Sequence, residues 1–202
     1  PWRRAPAWGA IAAKDLLLTL RIGAMRRSAA LPVAFGVASL LAWQLPGEPA
    51  LRHFTAFALA LLAAAALAEW MVVLAGSDPF AALRVLPVGV MTVWGARAVW
   101  GLVGALGLVA AQAVAARELS PHALQLFLGW SGAATVAIAA LGLNYGVTLF
   151  PRADVARRML GLTLGLAIAA SIMIPLSGWI VLLTAVLHSA RRLPRWARLE
   201  EA

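Results

Sequence analysis

Residues 54–76 read FTAFALALLAAAALAEWMVVLAG, twenty-three positions with a single ionisable side chain, Glu69. About 20 mostly apolar residues suffice for a helix to cross the hydrocarbon of a bilayer. Working outward from this stretch, comparable runs lie at Ala29–Leu45, Val88–Ala116, Pro121–Phe150 and 155–190. They are separated by breakers: Pro46-Gly47-Glu48-Pro49, the segment Ser77–Pro87, and Pro151. Ser120 followed by Pro121 is a helix-start signal, since a hydroxyl can cap and proline suits the first turn.

Composition points the same way. Of 202 residues, 63% are hydrophobic and 12% charged, with a mean hydropathy of +0.87. That is about half the charge of an ordinary soluble domain, too little to cover a globular surface. Disorder is excluded by the apolar content, and a disulfide scaffold by the absence of cysteine. The reading is an all-α polytopic membrane protein forming one transmembrane domain over residues 1–202.

Two questions set the number of spans. In the last apolar stretch, Pro175-Leu176-Ser177-Gly178 reads as a turn between a full span, Val155–Ile174, and a short one, Trp179–Leu193; one long kinked helix is the alternative. Lys and Arg accumulate in cytoplasmic segments, and this arbitrates. With six spans and both termini inside, 14 of the 17 cationic residues fall inside, two outside (Arg52, Arg117) and one, Arg97, within a span. Five spans would expel Arg191, Arg192, Arg195 and Arg198. Six spans are therefore expected. The net charge of +9 then sets orientation and meets lipid headgroups rather than nucleic acid.

Ahead of the first span, Ala13, Leu16, Leu17, Leu20 and Ala24 share one helical face, with Lys14, Arg21 and Ser28 opposite. Residues 9–26 are expected to form an amphipathic helix on the membrane surface, within an interfacial segment 1–28. Residues 29–193 would form the bundle and 194–202 a cytoplasmic tail. The start at Pro1 reads as a fragment of a longer permease or a processed product.

The chain lacks a phosphate-binding Gly-rich Lys-Ser/Thr loop, a His-Glu-x-x-His pair and a Gly-x-Ser-x-Gly elbow, so neither an enzyme nor a metal site is indicated. His53, His122 and His188 lie near span ends. Of nine tryptophans, Trp2, Trp8, Trp43 and Trp196 fit an interfacial belt, while Trp94, Trp100 and Trp130 lie deeper, where packing is expected. Gly101 with Gly104, and Gly161 with Gly165, have the spacing of close helix contacts. Glu69 and Arg97 are placed roughly 10–15 Å in from the cytoplasmic side at 1.5 Å per residue, and are expected to pair across adjacent helices, because an unpaired ion there is costly. Between those spans, Ser77 or Asp78 can cap, Pro79 can start and Pro87 can end a two-turn cytoplasmic helix that presents Phe80, Leu83 and Arg84 on one face.

This order of elements resembles the membrane (permease) subunit of type-2 ABC exporters. It comprises the helix Ala-Lys-Asp-Leu-Leu-Leu-Thr-Leu-Arg (13–21), two spans, Phe-x-x-Leu-Arg-x-x-Pro-Val (80–88), two more spans, and Leu-Gly-Leu-Asn-Tyr-Gly-Val-Thr-Leu-Phe-Pro-Arg (141–152). The resemblance implies a six-span half-transporter driven by a separate ABC ATPase. The ATP would be bound by that partner, and this chain needs no cofactor of its own. Lys14, Asp15 and Arg21 would belong to the connecting helix. Phe80, Leu83, Arg84, Leu86 and Pro87 would form the coupling helix docked on the ATPase, and Phe150, Pro151 and Arg152 would mark the inner end of span four. Gly76 stands where the family usually has an acidic residue ahead of the coupling helix. A homodimer or a second permease half would complete the pathway, in the inner (plasma) membrane. A non-transporting scaffold or anchor for a cytoplasmic partner explains the spans equally well, but not a capped helix placed between spans two and three.

Overall fold

The computed structural model describes residues 7–76, 89–149 and 152–193. Among them it forms seven helices and no strand: α1 (Ala7–Arg21), α2 (Gly23–Ala42), α3 (Pro49–Ala75), α4 (Val90–Ala115), α5 (Pro121–Thr148), α6 (Ala153–Met173) and α7 (Ser177–Ala190). The protein is all-helical. Four helices, α3 to α6, are long and apolar enough to cross a membrane. α2 and α7 do not reach that standard, so the structure supports four spans by this criterion where six are expected from charge placement. The reasons are local. Arg26 and Arg27 sit within the first turns of α2, and α7 has 14 residues.

The surface matches a lipid environment. Leu102, Val103 and Leu106 on α4, and Leu162, Leu166 and Ile172 on α6, all face outward. A soluble fold rarely exposes so continuous an apolar surface.

At the N-terminus the expected helix 9–26 is two helices. Ile22 is extended, with φ −90° and ψ 115°, and α2 restarts at Gly23, six residues ahead of the expected span. The other boundaries follow the local chemistry. Proline begins α3 and α5, and the Ser120 hydroxyl accepts a hydrogen bond from the Ala123 N–H at 3.3 Å. α6 and α7 are separate helices broken at Pro175, so the turn reading holds over the single kinked helix.

α3 is the central helix, packing against α2, α4, α5 and α6. Its alanines Ala56, Ala63, Ala64 and Ala68 are fully buried, and their small size lets neighbouring backbones approach. The tightest contact is with α5. A Cβ added at Gly142 would lie 2.7 Å from the Ala68 Cα, and one at Gly146 2.7 Å from the Ala75 Cβ. Glycine is required at both. Gly104 and Gly101 also face α3, against Leu67 and Met71. Gly161 and Gly165 meet nothing within 4 Å, so the expected contact on α6 is not made within this chain. Ile138, Leu141, Leu160 and Leu182 extend the core to α6 and α7 around Ala64, Ala68 and Val72.

Candidate functional site

Polar side chains inside the bundle gather in two layers. One joins α2, α3 and α4. The Ser39 hydroxyl donates to the Ala56 carbonyl at 2.5 Å, the Gln112 amide donates to Ser39 at 2.8 Å, and the Trp43 indole donates to Gln112 at 3.2 Å. Trp43 also packs edge-on to Phe127 and beside His53, closing this end with aromatic surface.

The other layer is the charged one. Arg97, seven residues into α4, places its Nε 3.3 Å from the Asp15 Oδ2 on α1, and both side chains are buried. The Lys14 Nζ lies 3.2 Å from the other carboxylate oxygen. One turn further along α4, the Trp100 indole donates to the Ala12 carbonyl at 3.1 Å. On the neighbouring side, the Trp94 indole donates to the Asn144 side-chain oxygen at 3.0 Å, and the Asn144 amide donates to Ser189 at 3.1 Å. Ser189 in turn donates to the Val186 carbonyl. The layer thus ties α1 to α4, α4 to α5, and α5 to α7.

The expected Glu69–Arg97 pair is not formed. Arg97 is neutralised by Asp15, and the Glu69 Oε1 instead lies 3.6 Å from the Arg157 Nε of α6, with both side chains about half exposed. Two physical facts explain the exchange. α1 docks beside α4 through the stripe Ala12, Asp15 and Thr19, while Leu16, Leu17 and Leu20 face outward as a lipid-contacting face should. Asp15, on that buried stripe, is therefore the acid that meets the arginine. Glu69, on the far side of α3, meets the first turns of α6.

Depth also changes the meaning of these charges. From Arg97 to the end of α4 at Ala115 is about 27 Å at 1.5 Å per residue, and from Glu69 back to Leu51 is the same. Both are close to the roughly 30 Å of hydrocarbon in a bilayer. Arg97 and Glu69 therefore mark one boundary of the apolar zone, the one at the level of α1, rather than its interior.

The remaining predicted residues divide simply. Lys14 and Arg21 lie outside the α1–α4 contact and stay accessible. Arg152 is exposed at the N-terminus of α6. Phe80, Leu83, Arg84, Leu86 and Pro87, and Phe150 and Pro151, lie outside the described residues. Among the tryptophans, Trp94 and Trp100 serve packing through hydrogen bonds, and Trp130 packs on Trp179 with ring centroids 5.4 Å apart. Among the described residues, no three of His, Cys, Asp and Glu are placed to hold a metal ion.

Sequence reasoning missed Asn144 and Ser189, and the pairing role of Asp15. Asn144 stands between Gly142 and Gly146, a polar side chain in an apolar helix, and that was its signal. Asp15 carried none, since an acidic residue next to Lys14 on an amphipathic helix reads as solvated. Comparison with protein-family models, with curated proteins and with solved structures finds no match.

Proposed function

We propose that this chain is the permease subunit of an ATP-driven exporter of the type-2 ABC class, with six membrane helices, α2 to α7, arranged as three hairpins whose ends lie on the cytoplasmic side of the inner (plasma) membrane. The observation that carries this reading is the buried Asp15–Arg97 pair. It links the entry helix α1 to α4, the helix that follows the 77–88 segment, so the two elements that would receive force from a cytoplasmic motor belong to one unit. A scaffold or anchor has no need of that linkage.

In this mechanism an ABC ATPase docks on Phe80, Leu83, Arg84, Leu86 and Pro87. ATP-driven closure of the ATPase pair displaces that segment, and α4 carries α1 with it through Asp15 and Trp100. The rigid α3–α5 seam transmits the movement as rocking of a whole unit, as alternating access requires. A second copy or a second permease half supplies the other wall of the pathway.

The test is co-purification. Wild-type chain should retain a P-loop ATPase encoded beside it, and the Phe80→Ala/Arg84→Ala variant should lose it while remaining folded. Equal recovery from both would overturn the coupling role.

A further inference from the structure

The third hairpin differs from the other two in a way the spans alone do not explain. The α2–α3 connection carries Glu48, with Arg52 in the first turn of α3, and the α4–α5 turn carries Arg117 and Glu118. Between Arg158 and His188 there is no Asp, Glu, Lys, Arg or His at all, and the α6–α7 turn lies in the middle of that stretch. Its tip holds the two most exposed large apolar side chains among the described residues, Ile172 at 79% and Met173 at 81%, with Ile174 at 65% and Leu176 at 61% beside them.

Length places this tip below the surface. From Ser189, which meets Asn144, α7 rises to Leu176 over about 20 Å, whereas α5 rises from Asn144 to Pro121 over about 34 Å. Measured along α6 from Arg157, the tip stands about 24 Å above the ion pair with Glu69, while α3 climbs about 30 Å from Glu69 to Pro49. Both routes leave the hairpin short of its neighbours. The outer part of α5 continues past it, and Gln125, Leu126, Gly129 and Trp130 with Trp179 line an open, largely apolar recess of about 290 Å³.

The turn is also chemically fit for a medium without water, where backbone groups must find partners within the protein. The Ser177 hydroxyl meets the carbonyls of Ala170 at 2.6 Å and Ile174 at 2.8 Å, covering the end of α6. The Ser177 and Trp179 N–H groups donate to Ile174 and Leu176. Leu176 itself holds φ 72°, a conformation that glycine or asparagine adopts more easily. Keeping a leucine there is reasonable where its side chain gains an apolar surrounding.

We infer that the α6–α7 hairpin enters the bilayer from the side of the charged layer and turns within the opposite leaflet, its tip and the Trp130–Trp179 recess filled by phospholipid acyl chains. The chain has no cysteine, so single-cysteine variants each report one position. Full-length Met173→Cys, Ile174→Cys and, as references, Glu48→Cys and Glu118→Cys are reconstituted in phosphatidylethanolamine–phosphatidylglycerol vesicles. A membrane-impermeant maleimide is admitted to both faces by freeze–thaw. The references should be fully modified while the two tip positions are not, until detergent dissolves the bilayer. Nitroxides at 173 and 174 should collide with oxygen and not with a water-soluble nickel chelate. Modification of the tip at the rate of Glu118→Cys would place it in water and overturn the inference. Protection from both oxygen and nickel would overturn it too, by putting protein, such as a second copy, where lipid is assigned.

Discussion

α5 and α6 each include a pair of glycines four residues apart, Gly142 with Gly146 and Gly161 with Gly165, and the two pairs do opposite things. Gly142 and Gly146 let α5 lie against the backbone of α3, where a methyl group would collide. Gly161 and Gly165 face open space. The same contrast runs through the charges at the boundary of the apolar zone near α1. Asp15–Arg97 is sealed between α1 and α4, while Glu69–Arg157, linking α3 to α6, is about half exposed. About half of the most apolar stretch of α3 is buried, against about a tenth for α6. In a bilayer, apolarity brings a helix into the membrane and does not choose which face meets protein, because lipid tails are as apolar as leucine. Close approach and polar pairing make that choice.

The sharpest way to break this comparison is at the sealed pair. Asp15→Asn removes the carboxylate charge beside the buried Arg97 guanidinium, and removing one partner of such a pair typically costs about 3–5 kcal/mol. The expected result is a large fall in the thermal midpoint of the detergent-purified protein, followed by its tryptophan fluorescence. Adding Arg97→Gln should recover most of that loss. No recovery in the double variant would mean that the two residues act separately.

Gly142→Val tests the seam next. Forcing branched bulk against the Ala68 backbone should cost about 1–3 kcal/mol or more, since overpacking there has no flexible side chain to displace. Gly161→Val, the matched change on α6, should leave the midpoint of the monomeric chain within about 0.5 kcal/mol of wild type. Similar losses at both would erase the distinction between the two glycine pairs. At the α6–α7 turn, Ser177→Ala removes the hydroxyl that covers the last carbonyls of α6, for an expected loss of about 1 kcal/mol in the same assay.

The smallest effect belongs to the open pair. Glu69→Gln should cost no more than about 1 kcal/mol, because a half-exposed pair is screened by solvent. Its effect should add to that of Arg97→Gln, since the two side chains have different partners. A strong coupling between Glu69 and Arg97 in a double-mutant cycle would restore the pairing that their positions along the chain suggest.

Much of the architecture can be read residue by residue along the chain. The apolar runs around Phe54–Gly76 and Pro121–Phe150, the Ser120-Pro121 helix start and the break at Pro175 are local facts, each decided by a few neighbouring side chains. Ile22 was not legible in this way. Nothing in Arg21-Ile22-Gly23 distinguishes a continuous amphipathic helix from two helices meeting at an extended residue, and α1 docks where that junction permits. The candidate site was harder still. Asp15 and Arg97 are 82 positions apart, and on helical spacing alone Asp15 belongs with the solvated residues while Glu69 is the nearer acid.

The amino-acid sequence by itself determined that this is a helical membrane protein, where its proline-marked helix breaks fall and how its basic residues are distributed, because transfer of side chains and backbone from water into lipid depends on local composition and proline. The tertiary structure decided which acid neutralises Arg97, which glycines make contacts and how far the last hairpin reaches. Those outcomes depend on distances of a few ångströms between helices remote in the chain, and short-range pairing, close packing and helix length act only once the helices stand side by side.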